Sequence, residues 1–202
     1  MSAVIQPGAT ASRTPIALGD DLRAVVFDHH GDVPLATFLA QVRGVAATLP
    51  PGQHAINLCE DRYRFLVAFC AVAMRGQTNL LPPSRAPAAV DECMAQHPDS
   101  YCIGDAALSP APARYLQLPD VLPERVGETP MIDDDALVAI GYTSGSTDIS
   151  MPYMCCGGTV ATICASPSGH RSESAARFCA VLRRKLPQVF SFACGRPVLP
   201  DV

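Results

Sequence analysis

The sequence has no long apolar run and no secretory leader, and each absence excludes a class of protein. Its longest apolar run, Phe65 to Met74, is far shorter than the roughly 20 residues that a membrane-spanning helix requires. The first 20 residues are small, polar and proline-containing, without the basic and apolar regions of a signal peptide. We therefore expect no membrane span, a cytoplasmic location and reduced thiols. We also expect no nucleic-acid partner.

A zinc-finger pattern is also missing, although the chain contains nine cysteines. None of them forms the Cys-x-x-Cys pair with which zinc fingers begin. The adjacent His29 and His30 would point to opposite faces of a strand, and the three carboxylates of residues 133–135 cannot all point one way. A solvated edge or a helix cap is the better interpretation of these acids. We therefore predict no metal site.

Two different compositions meet near Asp148. Residues 1–148 contain 9 arginines and 17 acidic residues, a net charge of −8, whereas residues 149–202 contain five arginines, one lysine and two acidic residues, a net charge of +4. Five of the nine cysteines lie in the shorter part. We therefore divide the chain into a loose leader (1–19), a folded unit (20–147) that is large enough for a buried core, and a divergent tail (148–202).

The folded unit shows alternating strand and helix patterns. Apolar spacings of three and four predict a helix over residues 34–49, and a second helix, capped by Asp61, is predicted to end at Met74 or Arg75. A third is predicted over residues 87–96, and strands at 24–27, 54–59, 77–81, 100–103, 114–118 and 136–141. This alternation predicts an α/β fold with an incomplete doubly wound, mainly parallel sheet.

Charged residues crowd the junction between the second strand of this series and the helix that follows it. Glu60, Asp61, Arg62 and Arg64 lie there, at the sheet edge where ligands of open α/β sheets usually bind. A substrate contact is one interpretation. We favour the other, in which the acids stabilise the positive end of the helix and the arginines pair with them or lie in water.

Small and hydroxylated residues follow the last predicted strand of the folded unit, directly after Tyr142. With little side-chain bulk and a central glycine, such a loop can turn backbone N–H groups and hydroxyls toward a phosphate. A Walker loop requires a lysine, and none lies between Gly141 and Asp148. A different phosphate loop is therefore predicted, formed by Thr143, Ser144, Gly145, Ser146 and Thr147.

The run from Tyr142 to Thr147 resembles the phosphate-loop motif of the adenylate-forming ligases, the acyl-CoA synthetase superfamily. That motif reads Tyr/Phe-Thr-Ser-Gly-Ser/Thr-Thr-Gly-x-Pro-Lys, and Asp148, Ser150 and Met151 stand where the family has its last glycine, its proline and its lysine. Residues 57–65 and 76–83 resemble the aryl-polyene and xanthomonadin-type branch of these ligases.

The resemblance implies ATP-dependent activation of a carboxylic acid to an acyl adenylate, then transfer to the thiol of CoA or of an acyl carrier. It implies ATP and Mg²⁺ as cofactors and places residues 143–147 at the phosphates. It implies no catalytic residue here, because the magnesium-binding acidic motif and the lysine of the small domain lie beyond this loop in the family. Lys185, the only lysine, has none of that context.

Family members are more than twice as long as this chain, so we expect the opening part of a ligase that is inactive by itself. A sheet cut after its phosphate strand would leave that strand with an unpaired edge. Two alternatives stay open. The folded unit is a non-enzymatic α/β phosphate- or nucleotide-binding module, or the tail from residue 148 is a shifted reading frame rather than a genuine divergent end.

Overall fold

The computed structural model describes residues 12–22, 24–28, 31–142 and 152–156. Within these ranges the helices are α1 (Leu35–Thr48), α2 (Arg62–Met74) and α3 (Pro87–Gln96). The strands are β1 (Arg13–Pro15), β2 (Ala24–Asp28), β3 (Gly31–Pro34), β4 (His54–Asn57), β5 (Thr78–Leu81), β6 (Tyr101–Gly104), β7 (Tyr115–Gln117), β8 (Met131–Asp133), β9 (Leu137–Tyr142) and β10 (Pro152–Cys156).

Six of these strands form the main sheet, in the order β10-β9-β5-β4-β6-β7. The five from β9 to β7 are parallel, and only β10 runs antiparallel, beside β9. Parallel neighbours need crossover connections, and the helices α2 and α3 supply them between β4 and β5 and between β5 and β6. The prediction of an α/β fold with a mainly parallel, doubly wound sheet is confirmed.

One face of the sheet is covered by α1 and α2, which pack on a large apolar core. Helix α2 is apolar nearly all round, and every residue from Phe65 to Ala73 is buried. Helix α1 buries one stripe of apolar residues against α2 and the sheet. A helix buried on several sides needs no polar face, which explains why α2 lacks one.

The other face is covered by α3, and the core beneath it is smaller. It contains Val90 and Cys93 from the helix together with Ile56, Leu80 and Ile140 from three strands of the sheet. Adjacent residues of β5 divide between the faces, because side chains alternate along a strand. Leu81 belongs to the core under α1 and α2, and Leu80 to the core under α3.

Asn79 is a polar residue at the centre of this sheet, fully buried on β5. Its Nδ2 donates to the carbonyl of Phe69 on α2 and to that of Val138 on β9, both at 3.1 Å. Its Oδ1 has no hydrogen-bond partner. Since a buried amide is stabilised only by the bonds that it makes, Asn79 favours the arrangement in which α2, β5 and β9 meet.

Four strands were not predicted from the sequence, namely β1, β3, β8 and β10. Strand β1 lies in the segment interpreted as a loose leader and pairs with β8. Arg13 contacts Asp133 at 2.9 Å, and the Thr14 hydroxyl donates to Asp134 at 2.6 Å. Two of the three consecutive acids therefore contact the leader at a solvated edge, where the Asp133 side chain stays 52% exposed in its ion pair.

Strand β10 covers the edge of β9, which we had expected to be unpaired. It lies in the segment interpreted as a divergent tail, and it pairs with β9 over its whole length, with an irregularity between Cys155 and Cys156. Backbone groups along the outer side of β9 are thereby bonded. No helix in the described parts of the chain is long and apolar enough to cross a membrane.

Candidate functional site

Strand β9 leads directly to the predicted phosphate loop. It is buried from Val138 to Tyr142 and lies between β5 and β10. Tyr142, the last residue of β9, is the register partner of Pro152, the first residue of β10. Residues 143–151 join these two paired positions. The predicted ligands Thr143, Ser144, Gly145, Ser146 and Thr147 lie outside the described residues, so their role stays a prediction.

The carboxyl ends of β4 and β6 flank the point where the strand order reverses, the usual ligand crevice of such sheets. Here that crevice is bridged by Asp105, which follows β6. Its two carboxylate oxygens accept the backbone N–H groups of Glu60 and Asp61, each at 2.8 Å. A carboxylate of the chain thus binds the N–H groups that a ligand anion would otherwise meet. No sequence signal predicted this contact, because Asp105 is far from Glu60 and Asp61 in the chain.

Three residues of the charged junction before α2 make hydrogen bonds or ion pairs within the chain. Asp61 caps the helix by accepting the backbone N–H of Arg64 at 2.8 Å, as predicted. Glu60 pairs with Arg85 at 3.3 Å. Arg64 differs from our expectation, because its guanidinium donates to the carbonyls of Pro119 and Asp120 and not to the neighbouring acids. It therefore holds the extended segment after β7 against α2.

Tyr142 has the most connected side chain near the loop. Its ring is 6% exposed and packs in the core under α3, and its hydroxyl lies 2.7 Å from Nε2 of His97. Burial raises the pKa of Tyr142 well above its usual range, with further contributions from Cys93 and Glu92. Burial likewise raises the pKa of Cys93 to about 11, and its hydrogen bond with Tyr142 opposes that rise.

The network continues from His97 across the amino ends of the strands. The His97 and His54 rings lie 4.5 Å apart between centroids, and Nδ1 of His54 contacts the Asp99 carboxylate at 3.0 Å. Burial lowers the pKa of His97, and the neighbouring His54 ring lowers it further. Burial works against the charge of Asp99, but hydrogen bonds from His54 and from the Gln53 N–H hold its pKa below its ordinary value.

A shallow hollow opens beside Tyr142, between the end of β5 and helix α3. Its lining combines prolines, one acid and the Cys93 thiol: Pro82, Pro83, Ala89, Glu92, Cys93 and Gln96. The described residues contain no group of three or more histidine, cysteine or acidic side chains that could hold a metal ion. The polar groups that line the hollow are the Glu92 carboxylate, the Cys93 thiol and the Gln96 amide.

Solved structures with the same fold are similar to this chain over most of its length. ATP-bound MatB from Rhodopseudomonas palustris matches with a TM-score of 0.63 and 18% identity, over 89% of this chain and 42% of that one. The o-succinylbenzoate CoA synthetase MenE from Bacillus subtilis, bound to its acyl-adenylate intermediate, matches with a TM-score of 0.59 and 16% identity, over 76% of this chain and 45% of that one. The fold is that of the N-terminal part of an adenylate-forming ligase.

The N-terminal subdomain of NpsA from Klebsiella oxytoca has this ligase fold as well, with a TM-score of 0.56 and 18% identity over 84% of this chain and 50% of that one. No family model and no curated protein matches the sequence. The chain spans between 42% and 50% of the length of these three structures. At such identities the likeness establishes the ligase fold alone.

Proposed function

We propose that residues 20–147 are the opening part of an adenylate-forming ligase and carry one wall of its ATP site. The observation that supports this most strongly is the position of β9, a buried parallel strand of the ligase fold that delivers the chain to Thr-Ser-Gly-Ser-Thr. The reaction of the lineage would be ATP-dependent activation of a carboxylic acid, followed by transfer to the thiol of CoA or of an acyl carrier. The aryl-polyene and xanthomonadin-type branch stays a narrower prediction.

The residues at the loop fit a phosphate by their chemistry. Residues 143–147 offer four hydroxyls, and their backbone N–H groups are unencumbered by large side chains, so they would bind and orient the phosphates while negative charge develops on the leaving group. Magnesium would neutralise part of that charge. The described residues contribute no cluster of ligands for it, so we derive no step from this ion.

Formation of an acyl adenylate also needs adenine, acyl and magnesium contacts that one wall cannot supply. Because the chain spans at most half of the similar structures named above, we propose that it binds ATP weakly and does not form acyl adenylates by itself. Pyrophosphate exchange into ATP, measured with a panel of carboxylic acids, is the direct assay. Exchange above background would refute the proposed inactivity and would leave the proposed lineage intact.

Asp148 gives a sharper test of the loop, because it puts a negative charge where the family motif has glycine. Two like charges about 4 Å apart repel by about 1 to 4 kcal/mol, depending on the local dielectric. We expect Asp148→Gly and Asp148→Asn to strengthen ATP binding, measured by calorimetry, and the gain to shrink at high salt. Glu128→Gln, which removes one exposed negative charge after β7, is the matched control and should leave the affinity unchanged.

The outcomes decide whether a phosphate binds at this loop. Equal ATP affinities for Asp148→Gly, Glu128→Gln and the unchanged chain would count against a phosphate there. Binding that is improved by Asp148→Gly would support a phosphate at the loop both for a ligase wall and for a non-enzymatic phosphate-binding module.

The origin of residues 148–202 is also a proposal. We propose a shifted reading frame, because the family motif, the charge and the cysteine frequency all change within a few residues of Thr147. The coding DNA tests it: an insertion or deletion near codon 148, whose correction restores Gly-x-Pro and a long downstream frame, is expected. An uninterrupted frame without that alternative would assign the tail, including β10, to genuine divergence.

A further inference from the structure

Part of the segment between β7 and β8 forms a strap on α1 and α2, which we define as residues 119–128. Eight of its ten residues are exposed, and one, Leu122, is buried in the larger core. Among the described residues, a single backbone hydrogen bond joins the strap to another element, from the N–H of Arg125 to the carbonyl of Ala40 at 2.9 Å. Burial and backbone pairing therefore contribute little to holding the strap in place.

Two arginines of the helices bind the ends of the strap. Arg64 of α2 donates to the carbonyls of the first two strap residues. At the other end, Nε of Arg43 on α1 donates to the carbonyl of Arg125 at 2.7 Å, and its Nη1 donates to that of Glu128 at 3.2 Å. These four bonds are exposed to water, which competes for the same groups, so each contributes only a small net stabilisation.

Between these two ends the strap fits closely on α1. A Cβ at Gly44 would lie 1.8 Å from the carbonyl oxygen of Pro123, so the strap lies in space that only a glycine leaves open. The Gln41 side chain donates to the Glu124 carboxylate at 3.1 Å. The closed position is therefore defined by shape as well as by hydrogen bonds.

We propose that the strap opens as one unit while the main sheet stays folded, and that Arg43 and Arg64 hold it closed. Opening breaks exposed side-chain bonds and one backbone bond and withdraws one leucine from the larger core. Global unfolding exposes both cores, so opening costs much less free energy, as is usual for local openings. The inference goes beyond the proposed function and does not depend on the phosphate loop.

Amide hydrogen exchange of the 202-residue chain tests the opening. The Arg125 N–H reports on the strap, and the Leu58 N–H, which donates to the Ile103 carbonyl at 2.8 Å, reports on the centre of the sheet. We expect the Arg125 amide to be at least about tenfold less protected than the Leu58 amide. Its protection should change little in low concentrations of urea, because local opening exposes little surface, whereas that of Leu58 should fall steeply.

Variants of the two arginines test whether the strap opens as one unit. Methionine keeps a long apolar side chain but has no hydrogen-bond donor. Arg43→Met and Arg64→Met should each lower the protection of the Arg125 amide by about three- to tenfold. The effect of Arg64→Met is the decisive one, because the hydrogen bonds described for Arg64 reach only the other end of the strap.

Two controls separate the arginine contacts from charge and from global stability. Arg85→Met removes an exposed guanidinium that pairs with Glu60 outside the strap, so it should leave the Arg125 amide unchanged. Leu80→Ala weakens the smaller core on the other face of the sheet, so it should lower the protection of the Leu58 amide by at least about tenfold. It should leave the Arg125 amide unchanged, because it destabilises the closed and the open forms equally.

Limited digestion with trypsin gives an independent readout at the bond between Arg125 and Val126. Trypsin cleaves after basic residues and binds the carbonyl of the cleaved bond in its oxyanion hole. Val126 is 95% exposed, but Arg43 occupies that carbonyl in the closed strap, so cleavage requires opening. Cleavage there should be about three- to tenfold faster in Arg43→Met and Arg64→Met than in Arg85→Met or the unchanged chain, because its rate follows the population of the open form.

Four results would overturn the proposal. Loss of protection at Arg125 together with Leu58 in Leu80→Ala would mean that the strap opens only by global unfolding. An Arg125 amide that is unaffected by Arg64→Met would mean that the two ends open separately. An equal effect of Arg85→Met would assign the change to lost charge, and an Arg125 amide without measurable protection in the unchanged chain would mean that nothing holds the strap closed.

Discussion

The two faces of the main sheet are built differently. Among the described residues, 25 buried residues form the core under α1 and α2, against eight in the core under α3. Each core contains two thiols and one tyrosine hydroxyl, but these hydroxyls have different partners. The Tyr101 hydroxyl of the larger core donates to Gln77, whereas the Tyr142 hydroxyl of the smaller core meets His97, whose ring lies beside that of His54. Strand β9 is shared between the two cores, since Val138 and Ala139 belong to the larger one and Ile140 and Tyr142 to the smaller one.

A pair of neighbouring leucines gives the largest effect with which to test this comparison. Leu81→Ala opens the larger core and should cost about 4 kcal/mol of unfolding free energy, whereas Leu80→Ala opens the smaller core and should cost about 2 to 3 kcal/mol. Both leucines are almost fully buried on β5, so burial and strand position are matched. Equilibrium unfolding in urea measures both, and a larger loss for Leu80→Ala would reverse our ranking of the faces.

The next largest loss of stability is expected at Gly44, where α1 packs against the segment after β7. A Cβ at this position of α1 would lie 1.8 Å from the carbonyl oxygen of Pro123, so the segment after β7 would have to move. We expect Gly44→Ala to destabilise the fold by about 1 to 3 kcal/mol, although alanine is the better helix former.

Ala47→Gly lies at an exposed position of the same helix. It measures how much the difference in helix propensity between alanine and glycine contributes to the free energy of unfolding. It should cost about 1 kcal/mol or less. If Gly44→Ala were to stabilise the chain by a similar amount in thermal or urea unfolding, the close packing of α1 on Pro123 would be wrong.

The smallest effect concerns the start of α2. Asp61→Ala removes the side-chain cap of the helix that fills the larger core and should cost about 1 kcal/mol. Glu60→Ala, one residue earlier, removes only an exposed ion pair with Arg85 and should cost less. Similar losses for the two variants in urea unfolding would mean that Asp61 does not act as a cap.

The larger core could be predicted well from the sequence, because its signals are local. Apolar spacing predicted α1 within one residue at each end, and the Asp61 cap predicted where α2 begins. Helix α3 was predicted over the residues that form it. Strands β4 to β7 and β9 were found within two residues of their predicted ends, since each is short and bounded by turn-forming residues.

The contacts that matter at the candidate site could not be predicted, because they join residues that are distant in the sequence. Asp105 bonds Glu60 and Asp61 across the reversal of strand order, and His97 meets Tyr142 only after α3 has packed on β9. The short strands β1 and β8 were missed for the same reason, since each pairs only with the other. Strand β3 was missed although its partner β2 is adjacent in the sequence. The phosphate loop was predicted from a motif, which carries no contact information.

The position of β9 beside β5 has a consequence for the order in which the chain is made. Synthesis runs from the amino end, so β5, β4, β6 and β7 all leave the ribosome before Leu137 to Tyr142 does. Until then one side of β5 has no parallel neighbour, and such nascent edges are prone to pair with other chains. The Asn79 amide can bond the Phe69 carbonyl of α2 before that point, but its second acceptor, the Val138 carbonyl, arrives only with β9. Asn79 therefore ties α2 to β9 only after the last parallel strand has been made.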